Sequence, residues 1–107
     1  MKDFFVPKTT GMRGRALEEI SATFSLLGTC LRKQLSKKIL SKGGPWGSIA
    51  FLFKDFDKNY LDFGDPKVML ANFKSDGEVY TRQNYFIVKD KEMAQNIIKL
   101  LKSWFDI

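Results

Sequence analysis

The sequence predicts an α+β domain: a long N-terminal helix, a four-stranded antiparallel sheet, and a C-terminal helix packed on that sheet. Three observations predict it. Leu17, Ile20, Phe24, Leu27, Leu31, Leu35 and Ile39 recur at steps of three and four, the spacing of one helix face. Between residues 48 and 88 the pattern changes to short, partly alternating runs broken by turn residues, which reads as strands. From Met93 to Phe105 a helical stripe returns.

The elements follow in order along a single domain, the expected count for 107 residues. Residues 1–15 read as a flexible basic arm, because Pro7, Gly11 and Gly14 break any period. Residues 16–42 read as a basic amphipathic helix. Glu18 and Glu19 fall in its first turn and lysines in its last turns, both favourable to the helix dipole. Gly28 and Thr29 weaken its middle, and Gly43, Gly44 and Pro45 end it. Residues 46–107 read as a ββββα body. Its strands are expected near 48–54, 60–63, 67–74 and 78–89, with a hairpin turn at Ser75, Asp76 and Gly77; because Thr81–Asn84 is polar on both faces, the last is either one overhanging strand or a loop before a strand at Tyr85–Val88. Asp90 is a suitable N-cap for the last helix. Trp104 and Phe105 are expected to close the core against Phe51 and Phe53, so truncation before Asp90 should abolish folding.

Charge is distributed unevenly. The chain carries 18 basic and 12 acidic residues, a net charge of +6. Residues 1–43 hold nine basic and three acidic residues, whereas residues 44–107 are balanced at nine of each. A basic front end on a neutral body points to a polyanionic or acidic partner.

Chemistry is constrained by what the chain lacks. It has no His, which removes Ser-His-Asp, Cys-His and His-metal arrangements. Its one Cys, Cys30, cannot form an intrachain disulfide or build a metal site alone. Asp55, Asp57 and Asn59 start a calcium-loop pattern, but Tyr60 and Pro66 stand where Gly and the bidentate Glu belong. Asp55, Asp57, Asp62, Asp65 and Lys67 supply the residue types of a metal nuclease, but the sequence does not show that they converge. No catalytic residue, metal site or cofactor is therefore expected, and the protein is expected not to be an enzyme. The longest wholly apolar run, residues 49–53, is far too short to span a bilayer, and no secretory signal pattern is present. An intracellular location, cytoplasmic or nuclear, is expected.

Binding remains. On the predicted first helix Arg32, Lys33, Lys37 and Lys38 lie together with Lys42 just beyond, and no acid occurs from residue 20 to residue 54. Arg13 and Arg15 extend the basic surface. The plain alternative is a solvated outer face. A second candidate surface is the sheet, where Tyr80, Arg82, Asn84 and Phe86 share one face if their strand is continuous.

Residues 48–102 resemble the positive cofactor four family of single-stranded-DNA-binding transcriptional coactivators. The resemblance lies in Lys67-Val68-Met69-Leu70, the Asp76-Gly77-Glu78 turn, Phe86-Ile87-Val88 and the acid-led helix from Asp90. It implies four strands followed by a helix, a dimer, and single-strand binding along the sheet, with Lys67, Lys74 and Arg82 as backbone contacts. The reading is a non-enzymatic nucleic-acid-binding protein, single-stranded DNA favoured, acting in transcription or replication control. The alternative is a small adaptor or inhibitor that docks an acidic surface of a protein partner. Homodimerisation is expected through the first helix or a sheet edge.

Overall fold

A computed structural model describes residues 12–107. Most of the described residues are strand: β1 Arg13–Gly14, β2 Phe24–Leu26, β3 Thr29–Gly43, β4 Trp46–Asp57, β5 Asp62–Phe63, β6 Lys67–Ser75 and β7 Tyr80–Val88. A 3-10 turn at Leu17–Glu19 precedes β2, and one helix, α1 Lys91–Phe105, ends the fold. All pairings are antiparallel, in the order β1-β7-β6-β4-β3-β2, with β5 paired to β4. The sheet curls into a half-barrel.

The predicted long N-terminal helix does not exist, and with it falls the basic-helix, α+β description. Residues 16–42 instead form the 3-10 turn, β2 and nearly all of β3. Two local causes explain this. Leu27 and Gly28 both take positive φ, 52° and 82°, which makes the tight turn of a hairpin between β2 and β3. Then β3 is bulged twice, between Gln34 and Ser36 and between Ile39 and Ser41. Each bulge inserts one residue, Leu35 and Leu40, so the inward positions Gln34, Lys37, Ile39 and Lys42 are spaced by three, two and three. That rhythm hides a strand's period of two, and the helical spacing of Leu31, Leu35 and Ile39 is coincidental: Ile39 points inward whereas Leu35 is a bulge residue. Cys30 accordingly lies on a strand, half-buried and free.

The body is built as strands because β4 alternates. Ile49, Phe51 and Phe53 point to one face, all fully buried; Trp46, Ser48, Ala50, Leu52 and Lys54 point to the other. Met69, Ala71 and Phe73 of β6 continue the buried face through their pairing with Phe51, Ile49 and Gly47. The Phe51 and Phe73 rings meet edge to face, centroids 6.5 Å apart. The cover on this face is the chain before β2: Met12, Leu17, Ile20 and Ala22 complete the core cluster. Met12 and the Arg13–Gly14 pairing with β7 belong to the fold, so the expected arm does not extend past residue 11, and residues 1–11 lie outside the described residues.

Lys37 fastens that cover. Its Nζ donates to the carbonyls of Leu17 and Ile20 at 2.6 and 2.7 Å, satisfying the ends of the 3-10 turn. Burial lowers the pKa of its ammonium, and nearby Glu18 opposes that shift.

The C-terminal helix is capped by Asp90, whose side chain accepts from the Met93 amide at 2.9 Å. It does not do what the sequence predicts of it. No residue of α1 is buried, and Trp104 and Phe105 are 74% and 69% exposed. The core closes without them. Residues 1–89 alone are therefore expected to unfold in one cooperative thermal transition, with a midpoint near that of the full chain. Loss of the transition in calorimetry would show that α1 carries part of the core.

Candidate nucleic-acid interface

The face opposite the core is open except at Val88, which is buried. Strand register assembles it in rows across β3, β4, β6 and β7: Lys33 and Lys54; Ser36, Leu52, Val68 and Val88; Lys38, Ala50, Leu70 and Phe86; Ser48, Asn72 and Asn84; Trp46, Lys74 and Thr81. Four lysines stand on it, and none of the residues in these rows is acidic. Lys33, Lys38 and Lys74 are exposed, and Lys54 is half-buried. Trp46 is 45% exposed and Phe86 50%. The Lys74 ammonium sits 5.6 Å from the Trp46 ring centre, a cation–π contact near the β3–β4 turn.

Polar groups on this face are ordered by one another. Ser48 Oγ donates to Asn72 Oδ1 at 2.5 Å, and Asn72 Nδ2 donates to Asn84 Oδ1 at 2.9 Å. This ladder crosses three strands and leaves amide groups facing solvent, able to meet hydrogen-bonding ligands. Beside it Ser36, Lys38, Ala50, Leu52 and Val68 line a shallow groove of ≈ 290 Å³.

The expected binding residues separate into three sets. Lys33, Lys38 and Lys74 come together on the open face. Arg32, Lys37, Lys67, Tyr80 and Arg82 are committed on the core side. Arg32 pairs with Asp55 through two hydrogen bonds of 2.6 and 3.1 Å and lies 4.4 Å from the Phe53 ring centre. Lys67 Nζ approaches the same carboxylate at 3.9 Å. Tyr80 is in the core at 8% exposure. Arg82 stacks 4.1 Å from the Tyr85 ring centre. Burial lowers the Arg82 pKa, Tyr85 opposes the shift and Arg32 adds to it; a guanidinium stays charged regardless. The third set is peripheral: Arg13 and Arg15 are exposed beside β7, at the other side of the sheet from β3, and Lys42 is exposed near the β3–β4 turn.

Tyr80, Arg82, Asn84 and Phe86 do not share a face. The β6–β7 register shifts between Asn72 and Phe73, so Gln83 is the extra residue. Tyr80 and Arg82 turn to the core, while Asn84 and Phe86 turn to the open face. Lys54 and Trp46 were not among the residues the sequence singled out. Their signal was their even positions on β4, shared with Ser48, Ala50 and Leu52.

The turn acids hold backbone. Asp57 Oδ1 accepts from the Asn59 amide at 2.9 Å, and Asp55 is taken by Arg32. Among the described residues no group of three or more metal-ligating side chains converges. No helix of the described residues is long and apolar enough to cross a membrane.

Fold and surface together define a curled antiparallel sheet closed on one face by its own N-terminal segment and open and basic on the other. The chain matches no protein-family model, and comparison with curated proteins and with solved structures finds no significant match.

Proposed function

We propose that this protein binds nucleic acid without catalysing a reaction, on the open sheet face, with single strands favoured over duplex. The observation that carries the reading is four lysines with no carboxylate on a face that also exposes Trp46 and Phe86. Lysines without neighbouring acids neutralise phosphates and release counterions. Exposed rings on a sheet stack unpaired bases, which a duplex keeps inside its own stack. The asparagine ladder offers hydrogen bonds to whatever base edge lies beside it. The likeness of residues 48–102 to the positive cofactor four family points the same way. Transcription or replication control and an intracellular location go with this reading.

The test is a titration of labelled single-stranded and double-stranded oligonucleotides at several salt concentrations. Single strands are expected to bind more tightly, and affinity to fall log-linearly with salt. Replacing Lys33, Lys38, Lys54 and Lys74 together by Gln is expected to reduce the slope by about 3, the value for four phosphates on a single strand. The fold should be unchanged, because none of the four lies in the core cluster. Trp46→Ala is expected to weaken single-strand binding alone. Absence of binding by the wild type at low salt would end this reading and favour an acidic protein partner for the same lysines.

A further inference from the structure

We infer that α1 is the contact surface for a second copy of this chain, joined antiparallel about a two-fold axis at the level of Lys99. The inference stands on α1 alone and does not depend on nucleic-acid binding.

The helix is a completed amphipathic element whose apolar side is half-buried at Met93, Ala94 and Ile97 and otherwise exposed among the described residues. Met93, Ala94, Ile97, Ile98, Leu100, Leu101, Trp104 and Phe105 fall within an arc of about 160° at 100° per residue. None is buried, and Ile98, Leu100, Leu101, Trp104 and Phe105 are 41–74% exposed. Scattered apolar residues on a surface are ordinary, but a continuous stripe along a capped helix marks an interaction site.

The order of residues along the stripe favours a second copy. An isologous contact requires that if residue i meets j, then j meets i. Read in both directions from Lys99, the apolar pattern is the same. Met93 matches Phe105, Ala94 matches Trp104, Ile97 matches Leu101 and Ile98 matches Leu100. On an antiparallel partner Ile97 and Leu101, near the centre of the stripe, thus face each other, and each remaining apolar residue lies level with an apolar residue on the opposite flank. Sizes are complementary level by level as well: the smallest side chain, Ala94, stands level with the largest, Trp104, and Met93 stands level with Phe105. Lys99 itself points away from the stripe, so the axis brings no like charges into the contact. Antiparallel helices also oppose their dipoles favourably.

The area is sufficient. These side chains leave on the order of 600 Å² exposed per copy, so the pair would hide roughly 1,200 Å², the lower bound for a stable specific interface. A membrane surface fits less well. Helices that lie in a bilayer interface carry a polar face rich in Lys and Arg, whereas this one intersperses Lys91, Lys99 and Lys102 with Glu92, Gln95, Asn96 and Ser103.

The test uses the full chain. Sedimentation equilibrium is expected to show a monomer–dimer equilibrium in the micromolar range. Leu101→Glu with Trp104→Glu is expected to weaken it at least 30-fold, the loss of one hot-spot residue, while circular dichroism retains the sheet signal. Orientation is read by mixing two chains in a Cys30→Ser background, one with Ile97→Cys and one with Leu101→Cys, under a mild oxidant. The antiparallel pair predicts a disulfide-linked heterodimer in preference to either homodimer. A wild-type monomer at about 100 µM would overturn the inference. So would preferential Ile97→Cys self-linking, which reports parallel helices, and so would binding of the monomer to lipid vesicles through the same stripe.

Discussion

Phe51→Ala is expected to lower the unfolding free energy by about 3–5 kcal/mol, the range for truncating a buried aromatic residue. Phe51 has no exposed surface and is central to the core face. It sits on β4, flanked in register by Lys37 on β3 and Met69 on β6, with the Phe73 ring at its edge. The space vacated lies between the sheet and its cover, and the ladder hydrogen bonds through β4 keep β3 and β6 from closing it. A domain of this size has about 5–15 kcal/mol of total stability, so the variant should be largely unfolded in mild urea. Chemical denaturation with the m-value compared to wild type checks this. A loss under about 1 kcal/mol would mean that Phe51 is not in the core.

Gly47→Ala is expected to displace the N-terminal cover while sparing the sheet. A Cβ at Gly47 would overlap Leu17 Cδ1 and lie 2.9 Å from Cδ2 and 3.1 Å from Cγ. Leu17 is fully buried over β4 and held at its carbonyl by Lys37. It cannot turn to another rotamer without leaving the core, where its burial contributes about 1.5–3 kcal/mol. The expected cost is about 2–4 kcal/mol, from that loss and from overpacking. Hydrogen exchange should show early opening of residues 12–22 with β4, β6 and β7 still protected. Leu17→Ala in the Gly47→Ala background should restore part of the loss, because it removes the overlap. Uniform loss of protection across the sheet would show instead that cover and sheet open as one unit.

The four lysines of the open face illustrate how far the sequence reaches. Lys33 and Lys38 were legible as part of a basic run without acids, and that run does reach an exposed surface. The surface is a sheet, however, and only register joins those two residues to Lys54 and Lys74. Arg32 and Lys37 belong to the same run by sequence and to the opposite face by structure. One pairs with Asp55 and the other closes a backbone turn. A charge run reports the presence of cations, while the strand's alternation decides which of them can meet a ligand.

The bulges mark the boundary. Each added residue in β3 and β7 reverses the face of everything beyond it. Strict alternation fails across such a point, which is why β3 did not read as a strand and why Arg82 and Phe86 read as neighbours on one face.

By itself the sequence determined the strand content of β4, β6 and the second half of β7, the turn at Asp76 and Gly77, and the capped helix from Asp90. These rest on local rules: period-two burial, positive φ at glycine and an N-cap carboxylate. Only the tertiary structure decided that the segment before β3 forms strand and cover, and that α1 stays uncovered. The reason is physical. Burial of an apolar stripe depends on which surface reaches it, and here Met12, Leu17, Ile20 and Ala22 occupy the sheet face that α1 would otherwise have filled.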